Sequence, residues 1–502
     1  MKIIGIIAEF NPFHNGHDYI LRTAKEMSGA DHCVVVMSGD FVQRGEPAIC
    51  DKYLRTRMAL LSSADAVFEL PGIYARASAE QFAYGAVLLL SSLGCIDEIY
   101  FGSESGDTKD LLETAKILTD EPAEYRGLLS NLLKSGLSFP SAREKALKEY
   151  LSGKISETGS KDAGSFPDTG SFPDTGSFPN TDTSPALLDS IENGLLSSPN
   201  NILAIEYCKA LLRLQAAGTE VPSPVAVRRR GSSYDSAVPD TVSDASALAI
   251  RNFIKNGSIE SAKPFMPASA YEILSREYNR SFPVYADDFS SVLYSSLLFI
   301  KSAFNIRNHK KISNRSGSSR ISDIPDMMVI PDTFGTSDIP SVPDMSGISD
   351  TSNMSACPGF PGVPADLLNA IIKNSDDPLS FTRLIEAVKT KNVTYSAISR
   401  ALISILLDTA DLSSFISGEN VSLASPGITY ARLLGIRKDS SALIRRISET
   451  ARCKIINKLA DARISDRLLE ADIRAARLYN QIIYQKFGTR LPDEYRKTIE
   501  LI

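Results

Sequence analysis

Four short apolar runs in the first hundred residues constrain this fold more than anything else in the chain. "KIIGIIAE", "HCVVVM" (32–37), "AVFEL" (66–70) and "DEIYFG" (97–102) are rich in β-branched residues and nearly uninterrupted, as strands buried on both faces are. Between them, 15–28, "DKYLRTRMALLSS" (51–63) and "EQFAYGAVLLLSSL" (80–93) carry apolar residues at helical spacing. Strand–helix–strand repetition at this interval predicts right-handed βαβ units, hence an α/β class with a Rossmann-like parallel sheet. Ligands of such sheets bind beyond the carboxyl ends of the strands. The loops there, "NPFHNG", "SGDFVQRGEPA" and "GSESGD", are polar and glycine-bearing. A site is expected where they converge.

Farther along, residues 107–151 read as helical. A Pro/Gly/Ser-rich repeat, "GSFPDT", "GSFPDT", "GSFPNT", then starts at Gly164; such composition cannot form a packed core. A helix is expected over 198–218, with Asn200 or Asn201 as its cap and Gly218 as its stop. "PVAVRRR" (224–230) reads as a fifth strand, and 243–257 as a helix capped by Ser243 or Asp244. The expected division is an α/β domain over 1–260, with a low-complexity insertion at about 155–185, and a mainly α-helical C-terminal domain over 261–502. In the second domain no strands are expected. A Ser/Asp/Pro/Ile-rich insertion covers about 310–362, and helices return at 365–407 and 439–487.

The net charge of −6 excludes a non-specific polyanion binder as a whole. Residues 427–502, however, hold sixteen Lys and Arg against nine Asp and Glu. That surplus fits either a solvated helix face or a surface that meets a polyanion. The six cysteines are scattered without a CxxC pair, which fits neither a zinc site nor a disulfide framework. Free thiols in a reducing, cytoplasmic setting are expected. There is no signal-peptide pattern, and no apolar run of the roughly 20 residues that span a bilayer. No membrane or DNA partner is expected.

Two of the four histidines, His14 and His17, flank Asn15 and Gly16 directly after the first strand. A strand that turns into a helix presents free backbone N–H groups and partial positive charge, which attract phosphate. Gly16 lets the backbone approach a ligand, and the two imidazoles can converge on it. Donors placed where charge builds on an α-phosphate and on departing pyrophosphate lower the barrier to adenylyl transfer. Two histidines alone make an incomplete zinc site, and no third ligand is evident; no metal ligands are assigned. Arg55 and Arg57 are read as solvent-facing. Gln43, Arg44 and Glu46 cluster above the sheet and are expected to face substrate.

"GIIAEFNPFHNGH" resembles the HxGH signature of the nucleotidyltransferase superfamily, whose sheet domains are of the HUP type. With "VVVMSGDFVQRGEPAICDKYLRTRMAL" (34–60), "ADAVFELP" (64–71), "FGSE" (101–104), "PNNILAIEY" (199–207) and, more loosely, "YARLLGIRK" (430–438), the chain resembles the bacterial tRNA(Met) cytidine acetate ligase family. The resemblance implies a two-step reaction. Acetate attacks the α-phosphate of ATP, giving acetyl-adenylate and pyrophosphate. The N4 amine of the wobble cytidine of elongator tRNA(Met) then takes the acetyl group. It also implies an ATP loop formed by Ile7, Ala8, Glu9, Phe10, Asn11, Pro12, Phe13, His14, Asn15, Gly16, His17, Asp18, Tyr19 and Ile20, with His14 and His17 catalytic at the phosphates. Gly102, Asn200 and Arg229 complete the ATP site, with the registers Asn200/Asn201 and Arg228/Arg229/Arg230 open. Ser246 and Arg251 are candidate phosphate contacts, although Leu248 stands where the superfamily pattern has threonine. Magnesium escorting ATP is expected on general grounds. Two other readings remain: a small-molecule adenylyltransferase acting on a pantetheine- or nicotinate-nucleotide-like substrate, and an RNA-binding protein with a degenerate site.

Overall fold

The computed structural model describes residues 1–158, 185–229, 245–315, 363–375, 379–391, 393–407, 427–462 and 466–502. The hexapeptide repeat, most of the 310–362 stretch, Ser243, Asp244 and Arg230 lie outside them. The N-terminal elements are β1 (Ile3–Ala8), α1 (Asn15–Ser28), β2 (His32–Ser38), β3 (Phe41–Val42), β4 (Glu46–Pro47), α2 (Lys52–Leu61), β5 (Ala66–Leu70), α3 (Gly72–Ala75), α4 (Ala79–Ser92) and β6 (Glu98–Ser103). Next come α5 (Thr108–Asp120), α6 (Ala123–Lys134), α7 (Phe139–Thr158), α8 (Pro185–Glu192), α9 (Pro199–Ala216), β7 (Ser223–Arg228), α10 (Ala247–Lys255) and α11 (Ala268–Glu277). The remainder is α12 (Ser290–Arg315), α13 (Ala365–Lys373), α14 (Phe381–Val388), α15 (Tyr395–Leu406), β8 (Tyr430–Ile436), α16 (Ser441–Thr450), β9 (Lys454–Ile456), α17 (Arg467–Phe487) and β10 (Glu500–Leu501).

The main sheet runs β10-β8-β5-β2-β1-β6-β7, with β9 also on β8. β1 pairs in parallel with β2 and β6, and β5 and β7 extend the parallel set on either side. Successive residues of β1 point to opposite faces. Ile3 and Ile7 join one apolar cluster, packed by α4, α5 and α9; Ile4 and Ile6 join another, packed by α1, α2, α10 and α11. Both faces are therefore covered, as the uninterrupted apolar runs require. A third cluster binds α12–α15 to α17 and takes in Phe41 of β3.

One expectation fails here. Residues beyond 265 were expected to hold no strands, yet β8, β9 and β10 do, and β8 pairs antiparallel to β5. A seven-residue apolar run cannot be told from helix by periodicity alone. Arg432, in its middle, suggests a solvated position, but it is only 4% exposed. Its guanidinium meets Glu69 at 3.1 Å and pairs with Glu494. Lys52 reaches the same carboxylates at 2.8 and 3.1 Å. This buried four-charge cluster ties β5, α2, β8 and the segment after α17 together.

Two caps also differ from expectation. Helix α9 is capped at Ser198, with Pro199 in its first turn, the position proline favours; Asn200 and Asn201 lie inside the helix. Helix α10 is capped by Ser246, whose Oγ accepts from Ala249 N at 3.1 Å.

Candidate active site

The two histidines fold onto each other at the start of α1. His14 is the N-cap in an extended conformation, and its Nδ1 accepts from Gly16 N at 3.0 Å. His17 Nδ1 accepts from His14 N at 3.3 Å. This reciprocal pair is a capping box built from imidazoles. The ring centroids are 3.8 Å apart and the planes tilted by 32°. Because Nδ1 is an acceptor in both rings, each neutral ring carries its proton on Nε2. Burial and the nearby Arg229 and Arg251 lower the His14 pKa to about 3. Burial, His14 and Arg229 hold His17 well below the usual histidine value. At neutral pH both are uncharged N–H donors. Gly16 is required: a Cβ there would sit 2.8 Å from His14 Cε1. Phe10, at φ 52°, takes a strained conformation that sets its ring edge-on to His17 at 4.9 Å.

A cleft opens at the carboxyl ends of β1, β6 and β7. Ile7, Ala8, Glu9, Phe10, Asn11, His14, His17, Ile20, Gly102, Asn200, Arg229, Ser246 and Arg251 all line it. Six residues of the expected loop do not: Pro12, Phe13, Asn15, Gly16, Asp18 and Tyr19. Phe13 is wholly buried. Asn15 donates to Pro264 O at 3.0 Å, and Asp18 pairs with Arg22 at 2.9 Å.

The described residues of the two open registers occupy different places, Arg230 lying outside them. Asn200 faces the cleft: its Oδ1 accepts from Arg229 Nη1 at 3.1 Å, and its amide donates to Glu104 at 2.5 Å. Asn201 instead closes the loop after β6, accepting from Ser103 Oγ, Glu104 N and Ser105 N at 3.0, 2.9 and 3.2 Å. Arg228 is exposed, while Arg229 lines the cleft. Arg251 is no free surface residue: it donates to Asn11 O at 2.7 Å and lies 3.9 Å from Glu46. Leu248 adds an apolar wall where a hydroxyl was expected, and the Ser246 hydroxyl is engaged by its cap.

The β3–β4 hairpin forms the opposite lip with Val42, Gln43, Arg44 and Glu46. Gln43 N donates to Glu9 Oε1 at 2.6 Å. At the hairpin tip Gly45 has φ 77°, and a Cβ would collide with the Arg400 backbone. Ser399 Oγ donates to Gly45 O at 2.7 Å, so α15 is docked on the lip.

Arg55 corrects another expectation. It is fully buried, not solvent-facing. Its guanidinium donates to Cys50 O at 3.1 Å, Glu9 O at 2.8 Å and Ser38 O at 2.9 Å, and also to Gly39 O. It thereby clamps the ends of β1 and β2 behind the cleft. Nothing local in the sequence marks an arginine whose partners are backbone carbonyls. Arg57 is half-exposed and pairs with Glu500. A signal did exist for Leu203 and Tyr207, which line the cleft with Asn200: they are three and seven residues on, along one helix face.

A stability prediction follows from the buried neutral histidines. The folded pKa of His14 lies below its unfolded value of 6.5, so the unfolded state binds more protons as pH falls from 6.5 toward 3. Stability is lost over that window. At pH 5 the loss amounts to about 2 kcal/mol for this one group. Urea unfolding of wild type and His14→Asn at pH 7 and pH 5 should show the smaller decline in the variant. Equal declines would refute the assignment.

A parallel-dominant sheet with paired imidazole donors at the first helix start defines a nucleotidyltransferase of the HIGH class. The model of the HIGH Nucleotidyl Transferase family matches residues 1–322 and 345–493. The tRNA(Met) cytidine acetate ligase of Clostridium acetobutylicum is 32% identical over 500 residues, covering 99% of this chain and 100% of its own. That of a Thermoanaerobacter species is 33% identical over 483 residues, covering 95% of both. The crystal structure of Thermotoga maritima TmcAL bound with alpha-thio ATP superposes with a TM-score of 0.73 at 25% identity, covering 100% of this chain and 99% of that one. The chain belongs to the tRNA(Met) cytidine acetate ligase family, within the HIGH nucleotidyltransferases.

Proposed function

We propose that this protein activates acetate with ATP as acetyl-adenylate and transfers the acetyl group to N4 of the wobble cytidine of elongator tRNA(Met). The observation that carries the proposal is the pair of neutral imidazoles, ring centroids 3.8 Å apart, facing the same cleft as Arg229. In this reading His14 and His17 hold the α-phosphate and the departing pyrophosphate through Nε2–H, and gain strength as charge develops. Arg229, braced by Asn200, supplies a planar cationic fork for phosphate. The nucleoside lies against Gly102, between Ile20 and the Phe101–Tyr207 pair, whose rings are 5.5 Å apart. Ser246 and Arg251 lie at the positions of the superfamily's last helix start, where Arg251 supplies charge and Ser246 mainly shapes the turn.

Among the described residues no three His, Cys, Asp or Glu side chains converge as metal ligands. No described helix is long and apolar enough to cross a membrane. A cytoplasmic site of action accords with five free cysteines among the described residues and with a tRNA substrate.

The basic surplus of 427–502 is only partly available to RNA. Arg432 is buried, and Arg437, Arg452, Arg477 and Lys486 pair with acids at 2.7–3.1 Å. Incubation with ATP, acetate and unmodified elongator tRNA(Met), followed by nucleoside mass spectrometry, should yield N4-acetylcytidine. Pyrophosphate release only with a nucleotide-like small molecule would favour the small-molecule adenylyltransferase instead.

A further inference from the structure

The cleft has two poles. One gathers His14, His17, Asn200 and Arg229; the hairpin pole gathers Glu9, Arg44, Glu46 and Arg251. The phosphate chemistry above uses the first pole and Arg251, and leaves the carboxylates of the second without a task. Acetyl transfer needs more than phosphate binding. The N4 amine attacks the acetyl carbon and an N–C bond forms. The C–O bond to the AMP phosphate breaks, and AMP leaves with the electron pair. One N4 proton must go to a base.

The histidines are poorly placed for that task, because each Nδ1 already accepts a backbone N–H and each Nε2 bears the proton. Glu46 is partly exposed, at 26%, beside Arg251. Glu9 is different. It directly follows β1 and lines the cleft, with Oε1 fixed by Gln43 N, and a carboxylate retains further acceptor sites. Burial raises its pKa against the opposing pull of the Gln43 N–H and of Arg251, Arg44 and Arg55, the direction that strengthens a base. Two guanidiniums, Arg44 and Arg251, balance the two carboxylates that line this pole.

We propose that Glu9 is the catalytic base of the acetyl-transfer step, taking the N4 proton of the acceptor cytidine at the hairpin pole. This rests on the function proposed above. The test compares full-length wild type and Glu9→Gln in two assays. Acetate-dependent exchange of labelled pyrophosphate into ATP reports activation. Single-turnover transfer from enzyme-bound acetyl-adenylate to a tRNA transcript reports the second step. Glutamine keeps an acceptor oxygen for Gln43 N but cannot take the proton. Transfer should slow by about 100-fold beyond any change in exchange, within the usual range for losing a general base. Equal losses in both assays would make Glu9 a binding or hairpin-positioning group and overturn the proposal, as would no loss in either. If wild type shows no acetate-dependent exchange, the function reading itself falls, and this proposal with it.

Discussion

His17→Ala should lower acetate-dependent pyrophosphate exchange by about 100- to 1,000-fold, the usual effect of deleting one preorganised donor at a developing oxyanion. His17 Nδ1 is held by the His14 backbone N–H, so Nε2–H is fixed toward the cleft before any ligand enters. Alanine removes both the donor and half of the capping box. The cap alone is worth about 1 kcal/mol, so thermal unfolding must be followed alongside activity. tRNA binding, measured by filter retention at fixed salt, should change little. Turnover surviving in a folded variant would show that the transition-state role is wrongly assigned.

Arg432→Met should destabilise the fold by about 3–5 kcal/mol, the range for breaking a buried ion cluster at one member. Glu69 and Glu494 would be left with Lys52 as their main counter-charge, all within 5% exposure. Methionine nearly fills the space, so the loss is electrostatic rather than a cavity effect. Equilibrium urea unfolding with unchanged m is the measurement. A loss under about 1 kcal/mol would mean that the cluster relaxes or admits water.

The core of the sheet was legible because its information is local. β1, β2, β5 and β6 are short, mostly apolar and punctuated by turn residues, and α1 falls over the expected residues, 15–28. The histidine pair was legible for the same reason: cap, donor and glycine lie within four residues. What was missed depends on distant partners. β8 becomes a strand because β5 offers an open edge, and Arg432 is tolerated there because Glu69 and Glu494 come from residues far away in sequence. Arg55 is buried because four carbonyls from three segments surround it. The cap of α9 differs from expectation because either asparagine is a good cap by type, while Pro199 at the first helical position points to Ser198, two residues before Asn200.

The late strand also bears on biosynthesis. A chain made from its N-terminus completes β5 at Leu70 but cannot cover its outer edge until Tyr430–Ile436 has emerged. At about 5–20 residues per second, that interval is on the order of 20–70 s. Throughout it, the nascent domain presents an unpaired apolar edge strand, a template for intermolecular pairing. Yield in a cell should therefore depend on ribosome-associated chaperone capacity more than the stability of the finished enzyme suggests.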